Sequence, residues 1–200
     1  MSVLVKICGI TRLEDAQQAV EAGADALGFN FWPRSPRYVE PAAARSMIDA
    51  LGGTVLRVGV FVDETAEHVR TVMDAAGLDV AQIHGSPLEL VNRRVWQAWS
   101  ATSEGLRERI EASEAEAFLI DTPSGTLRGG TGKTFDWSLA RNLPGRIILA
   151  GGLGPENVAE AVEQVRPWGV DACSRLETAP GRKDHEKVTA FLRAVRQTGL

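Results

Sequence analysis

Short apolar, β-rich runs alternate with helical patterns along the whole chain. The runs fall near positions 3–7, 26–31, 56–62, 80–83, 95–98, 117–120, 146–150 and 170–172. Between them, apolar residues keep the spacing of one helix face: Val69, Val72, Met73 and Ala76 are the clearest set. Helix starts are marked as well. Thr11 and Glu14 have capping-box spacing, Ser86-Pro-Leu-Glu89 supplies an N-cap, a first-turn proline and an N3 carboxylate, and Gly154-Pro155-Glu156 opens a helix in a similar way.

A second motif marks the opposite junctions. Gly23-Ala-Asp25-Ala, Gly77-Leu-Asp79-Val and Gly169-Val-Asp171-Ala each follow a helix pattern and precede a strand pattern. The glycine suits the left-handed position that stops a helix. The aspartate falls at the strand start, on the N-terminal rim, where a stabilising role is the better reading. Eight strand–helix units in 200 residues allow about 25 residues each. That alternation predicts a parallel sheet covered by helices, and eight units favour closure into a single-domain TIM (β/α)8 barrel over residues 1–200. The alternative is an open doubly wound sheet, which often carries Gly-x-Gly-x-x-Gly after its first strand; Cys8-Gly-Ile-Thr does not match it.

Composition narrows the function classes. A formal charge of −4 without a basic run argues against a nucleic-acid groove. No apolar stretch approaches the roughly 18 residues of a membrane span, and Met1 to Gly9 lacks the charged and apolar regions of a signal peptide. The two cysteines, Cys8 and Cys173, show no metal-like CxxC pairing and fit a reducing cytosol. No cluster has metal-ligand spacing.

In a barrel, strand C-termini and the loops after them share one face. That rim would carry Cys8, Arg37, Asp63, His84, Asp121, the loop from Gly125 to Thr134, Gly151-Gly152 and Cys173-Ser174-Arg175. Asp121 ends an apolar strand, and burial would raise its pKa so that it could act as an acid; its bland reading is a loop-capping carboxylate. Cys8 could act as a base if ionised, or it could be a small buried apolar residue. Arg37 could clamp a carboxylate or lie on the surface, and His84 could bond a ligand or a backbone group. His68 and His185 read as surface residues. Gly151 and Gly152 after the seventh strand, with Ser174 after the eighth, suit a phosphate site of backbone N–H groups; the plain alternative is a tight turn. Gly129-Gly-Thr-Gly132-Lys133-Thr134 fails as a nucleotide P-loop because Leu127 stands where a glycine is required. Lys133 reads as solvated, and Asp136 as the cap of the next helix.

Taken together, Val5-Lys-Ile-Cys-Gly-Ile-Thr11, Ser35-Pro-Arg-Tyr38, Val58-Gly-Val-Phe-Val62, Gln82-Ile-His-Gly85, Asp121-Thr122, Gly129-Gly-Thr-Gly-Lys-Thr-Phe-Asp-Trp137, Leu149-Ala-Gly-Gly-Leu153, Pro155-Glu-Asn-Val158 and Pro180-Gly-Arg-Lys-Asp184 occur in order across almost the whole chain. The set closely resembles the phosphoribosylanthranilate isomerase family of tryptophan biosynthesis. The resemblance implies a cytoplasmic barrel that works without metal or cofactor on a small phosphosugar–anthranilate substrate, with neither nucleic acid nor membrane as partner, as a monomer or homodimer. It implies an Amadori rearrangement in which Asp121 protonates the furanose ring oxygen and Cys8 takes the proton from sugar C2. Arg37 would face the anthranilate carboxylate, His84 would line the pocket, and Gly151, Gly152, Ser174 and Arg175 would lie at the phosphate.

One stretch departs from the family pattern. Members usually carry Asp-Val-Ser-Ser-Gly-Val-Glu after strand eight, where this chain has Asp171-Ala-Cys-Ser-Arg-Leu-Glu177. Arg175 replaces a glycine that admits phosphate closely, yet its guanidinium could bond phosphate itself. Three competing readings follow. A broader aminoaldose-phosphate isomerase would usually use two aspartates, which Cys8 argues against. A non-catalytic anion-binding barrel would follow if the altered eighth loop had ended turnover. A thiol redox protein would need Cys173 beside Cys8 in place of a CxxC pair.

Overall fold

The computed structural model describes residues 2–53, 55–90, 92–122 and 136–200. Eight parallel strands close on themselves in chain order: β1 Leu4–Cys8, β2 Ala26–Asn30, β3 Leu56–Val62, β4 Val80–His84, β5 Arg94–Ser100, β6 Ala117–Asp121, β7 Ile147–Leu149 and β8 Gly169–Ala172. Closure is made by β8 pairing with β1, from Leu4 opposite Gly169 to Ile7 opposite Ala172. The expected barrel is therefore present. The strand ends differ by a residue or two from expectation, and the difference is informative: Cys8, His84 and Asp121 are the last residues of their strands.

Helices α1 Leu13–Glu21, α2 Pro41–Leu51, α3 Ala66–Ala76, α4 Leu106–Glu111, α5 Val158–Val165 and α6 His185–Gln197 cover the outside. The face read in the sequence buries as expected in α3, through Val69, Val72, Met73 and Ala76. Thr65 caps that helix by accepting from the His68 N–H, and Gly77 ends it at φ 71°. Two elements are cut short. A 3₁₀ turn, Trp137–Ala140, stands before β7, capped by Asp136 as expected. Between β4 and β5, no helix follows Ser86-Pro-Leu-Glu89 among the described residues. Cap signals mark where a helix can begin, but the stretch to Arg94 is too short to repay a costly nucleus, and Leu90 is buried without it.

Two other capping expectations also give way. Thr11 does not cap α1; its hydroxyl donates to the Gly181 carbonyl at 2.5 Å, tying the first loop to the last hairpin. The helix after Gly154-Pro155-Glu156 begins only at Val158, and Asn157 is its N-cap residue.

The core has two parts. A large cluster lies between sheet and helices. A smaller one fills the barrel with Ala26, Val58, Val80, Trp96, Ala98, Ala117, Leu119, Ile148 and Ala150. Alternate strand residues point inward, so the interior can be followed by twos. Val80, Gln82 and His84 share the inner face of β4; Ala117, Leu119 and Asp121 share that of β6. The apolar fill thus gives way to polar groups toward the C-terminal mouth, which is where the site lies.

Asp25 and Asp79 behave as the junction motif predicts. Asp25 accepts from the Val5 N–H at 2.7 Å, and Asp79 accepts from the Arg57 N–H at 2.8 Å, each binding the start of one strand to the preceding one. The third copy does not follow. Arg166, at φ 51°, ends α5, while Gly169 is already the first residue of β8. The strand therefore begins three residues earlier in the motif, and Asp171 is carried into the barrel instead of resting on its lower rim.

Candidate active site

Cys8 ends β1 with its side chain almost wholly buried, and Gly9, at φ 76°, turns the chain immediately after it. Two residues earlier on the same inward face stands Lys6, fully buried, with Nζ 2.7 Å from Asp171 Oδ1. Burial opposes a charge there. Asp171, helped by Cys8, nevertheless holds the Lys6 ammonium above the usual lysine range. The ammonium in turn lies beside Cys8: a Cβ added at Gly28 would sit 2.8 Å from Cys8 Sγ and 3.0 Å from Lys6 Nζ. On the other side stands Cys173, whose thiol donates to Glu177 Oε1 at 3.8 Å and favours the thiolate form of Cys8. The neighbouring Cys173 thiol, with the Lys6 charge, outweighs burial and brings Cys8 down to about 7.

Asp121 reaches its state by a different route. Removal from water pushes its carboxyl up to about 6, although the adjacent Thr122 N–H donates to Oδ1 at 2.7 Å and pulls the other way. Asp171 raises it further and Lys6 lowers it, so the same buried ion pair acts on both Cys8 and Asp121. The loop after β7 closes on this carboxylate. At Gly151, φ 86°, an added Cβ would meet Asp121 Oδ1 at 2.7 Å and the Thr122 hydroxyl at 2.1 Å, so only glycine lets the backbone pass there.

The expected phosphate loops are built side by side. Asn157 shapes the first: its Oδ1 accepts from the Gly154 N–H at 2.8 Å and its Nδ2 donates to the Gly152 carbonyl at 3.0 Å. Ser174 and Arg175 lie in a 3₁₀ turn directly after β8. The Arg175 guanidinium is engaged by Glu156, linking the loops after β7 and β8. Its charge is therefore partly answered within the protein.

Arg37 is also engaged. Its Nε and Nη2 form a forked contact with Glu177, at 2.7 to 3.1 Å, and a Cβ at Gly9 would lie 2.6 Å from its side chain. The fork expected to clamp a ligand carboxylate thus already holds a protein one. A guanidinium has five N–H donors, so the Nη1 edge retains capacity for a second acceptor. Glu177 belongs to a hairpin, β9 Glu177–Ala179 and β10 Arg182–Lys183. It also binds Lys183, whose Nζ stands 2.9 Å from Glu177 and 3.8 Å from Cys173 Sγ. Arg37 and Lys183 hold the Glu177 carboxyl below its usual range against the opposing effect of burial.

His84 sits across the mouth, its Nε2 2.9 Å from Gln82 Nε2. Gln82 Oε1 is buried without a partner among the described residues, so the orientation of its amide sets which of the two groups donates. His84, Gln97, Asp121 and Thr122 border a cleft along β5, before which no helix stands among the described residues. The loop Gly125 to Thr134, with Lys133, lies outside the described residues. His68 is exposed as expected, whereas the half-exposed His185 bonds Asp15 at 2.8 Å. Among the described residues no group of His, Cys, Asp or Glu could hold a metal ion, and no helix is long and apolar enough to cross a membrane.

The structure therefore gathers Cys8, Asp121, Arg37, His84, Gly151, Gly152, Ser174 and Arg175 at one mouth. It adds Lys6, Asn157, Glu177 and Lys183, to which no role was assigned from sequence, and Asp171, which was expected on the lower rim. A signal existed for Lys6: a lysine two residues before Cys8 inside an apolar strand must share its face.

Fold and site together define an eight-stranded (β/α)8 barrel with an ionisable thiol and a raised carboxyl at its C-terminal mouth, the layout of an acid–base enzyme. Residues 5–194 match the model of the family described as N-(5'phosphoribosyl)anthranilate (PRA) isomerase. The chain belongs to this family, whose members are isomerases of tryptophan biosynthesis. It is 48% identical over 200 residues to the N-(5'-phosphoribosyl)anthranilate isomerase of Solibacter usitatus, covering 97% of this chain and 98% of that one. The phosphoribosyl anthranilate isomerase structure from Thermus thermophilus superposes with a TM-score of 0.89 at 41% identity, covering 98% and 99% of the two chains. A further isomerase structure, solved in complex with reduced 1-(o-carboxyphenylamino)-1-deoxyribulose 5-phosphate, gives 0.85 at 41% identity, covering 99% and 100%.

Proposed function

We propose that this barrel converts N-(5-phosphoribosyl)anthranilate to 1-(2-carboxyphenylamino)-1-deoxyribulose 5-phosphate, with Asp121 as general acid and Cys8 as general base. The observation that carries the assignment is the shared Lys6–Asp171 pair, which helps to tune both groups toward neutrality. A base and an acid are most useful when their pKa values lie near the working pH. Asp121 protonates the furanose ring oxygen and the ring opens to a protonated Schiff base. The Cys8 thiolate then removes the C2 proton, leaving an enolamine. Tautomerisation to the ketone returns both groups to their starting states, since the product is an isomer of the substrate.

The remaining roles follow position. Nη1 of Arg37 faces the anthranilate carboxylate, while Glu177 keeps the guanidinium plane fixed. His84 lines the pocket. Backbone N–H groups of Gly151 and Gly152, with Ser174 and Arg175, take the phosphate at the loops after β7 and β8. The small phosphosugar–anthranilate needs no further partner for this chemistry.

The test follows the loss of anthranilate-adduct fluorescence with wild type, Cys8→Ala and Asp121→Asn. General acid–base groups contribute about 10²–10⁴-fold, so each substitution lowers kcat by that order while circular dichroism stays unchanged. Near-wild-type turnover in either variant removes that residue from the mechanism.

A further inference from the structure

The geometry points to Cys8 and Cys173 as a redox-sensitive pair that joins in a disulfide across the barrel seam when a hydroperoxide reaches the site. The two strands that close the barrel set the distance. The last pair of the β1–β8 register sets Ile7 opposite Ala172, and Cys8 and Cys173 are the residues that follow on the two sides of the seam. Neighbouring strands run about 4.7–4.9 Å apart, inside the roughly 4.4–6.8 Å between Cα atoms that a disulfide spans. The Cys173 thiol is near enough to Cys8 to shift its ionisation. A Cβ on Gly9 would lie 2.9 Å from Cys173 Sγ, which places that sulfur over the backbone directly following Cys8.

The surroundings divide the labour between the sulfurs. Lys6 stands beside Cys8, so Cys8 is the one presented as thiolate, whereas the Cys173 thiol donates to Glu177 Oε1 at 3.8 Å. Cys173 remains a thiol, with Lys183 Nζ 3.8 Å from its sulfur. Cys173 is also the more exposed of the two. The Cys8 thiolate attacks one oxygen of hydrogen peroxide, breaking the O–O bond to give a sulfenic acid and hydroxide, which is protonated to water. Cys173 then loses its proton and attacks the Cys8 sulfur, expelling the hydroxyl as a second water. Two thiols are oxidised and one peroxide is reduced to two waters. The Lys183 ammonium favours the charge that develops on Cys173 during the second step.

This pairing goes beyond the proposed isomerase reading. The sulfur chemistry does not depend on Cys8 acting as a base; only its consequence for turnover does. Purified chain is treated with hydrogen peroxide and read by intact mass, by thiol alkylation after denaturation, and by isomerase turnover. The expected result is a mass lower by two hydrogens, no alkylatable thiol, and a cross-linked peptide pair containing Cys8 and Cys173. Turnover falls by about the 10²–10⁴-fold of a lost general base, and dithiothreitol restores it. Cys173→Ser, compared with its own untreated activity, gains oxygen at Cys8 instead, and prolonged peroxide inactivates it beyond recovery by dithiothreitol. Wild type that gains oxygen without a cross-link overturns the pairing, as does Cys173→Ser recovering on reduction like wild type. A cross-link that leaves turnover intact supports the pair and counts against Cys8 as the base, so the two readings fail separately.

Discussion

On the β1–β8 side of the mouth, Cys8 stands among Lys6, Asp171 and Cys173, with Arg37, Glu177 and Lys183 packed behind. On the β4–β6 side, Asp121 and His84 border a cleft along β5, and no helix precedes that strand among the described residues. The first side sets its ionisable group with charges and hydrogen bonds, the second chiefly by excluding water. A thiol is brought down and a carboxyl is brought up, so the two approach each other near neutrality. The closed side needs many partners because burial alone would push a thiol the wrong way.

The largest expected effect comes from breaking the shared ion pair. Lys6→Met leaves Asp171 as an uncompensated buried charge, which costs about 3–5 kcal/mol. Urea unfolding measures it, and adding Asp171→Leu should recover most of the stability without restoring activity. Full stability in the single variant would mean that the pair is solvated and cannot tune Cys8.

The pH profile sharpens the contrast between the sides. With Cys8 at about 7 and Asp121 at about 6, thiolate and protonated carboxyl coexist only in a minority form. That form grows as pH rises to about 6, holds level, and declines above about 7. Cys173→Ala removes the neighbouring thiol that chiefly holds Cys8 down, and each pKa unit so lost corresponds to roughly 1.4 kcal/mol. The plateau of kcat/KM should drop by about tenfold or more, with the alkaline limb moving to higher pH and the acid limb fixed. Cys173→Ser keeps a donor and should resemble wild type. Movement of both limbs together would show that the sides are not independently tuned.

A smaller effect is expected at Arg37. Glu177→Gln removes the carboxylate that locks the guanidinium, leaving the donor itself in place. KM should rise by about tenfold, in line with roughly 1.4 kcal/mol for a loosened charge-assisted contact, while kcat changes less. A fall in kcat alone would assign Glu177 to the Cys8 network instead. The smallest effect belongs to Arg175→Gly. Its partner Glu156 is well exposed, and such pairs are worth about 0–1 kcal/mol. KM should shift by less than about fivefold, and an unchanged KM would remove Arg175 from the phosphate site.

Barrel closure, the strand-end positions of Cys8, His84 and Asp121, and the glycine turns after the seventh strand were all legible from alternation and punctuation, because these are local consequences of backbone geometry. The fate of the third Gly-x-Asp motif was not. Gly169-Val-Asp171-Ala reads like its two counterparts, and only the early start of β8 carries Asp171 inward to Lys6. Ser86-Pro-Leu-Glu89 likewise reads as a helix start, and only the short span to β5 denies it one. Arg37 was visible as a carboxylate binder, but its partner lies 140 residues away at Glu177. By itself, the sequence determined the repeating fold and which residues stand at the mouth, since period-two alternation and turn chemistry act within a few residues. The tertiary structure alone decided which charges meet, because a closed barrel brings β1 beside β8 and makes neighbours of residues from opposite ends of the chain.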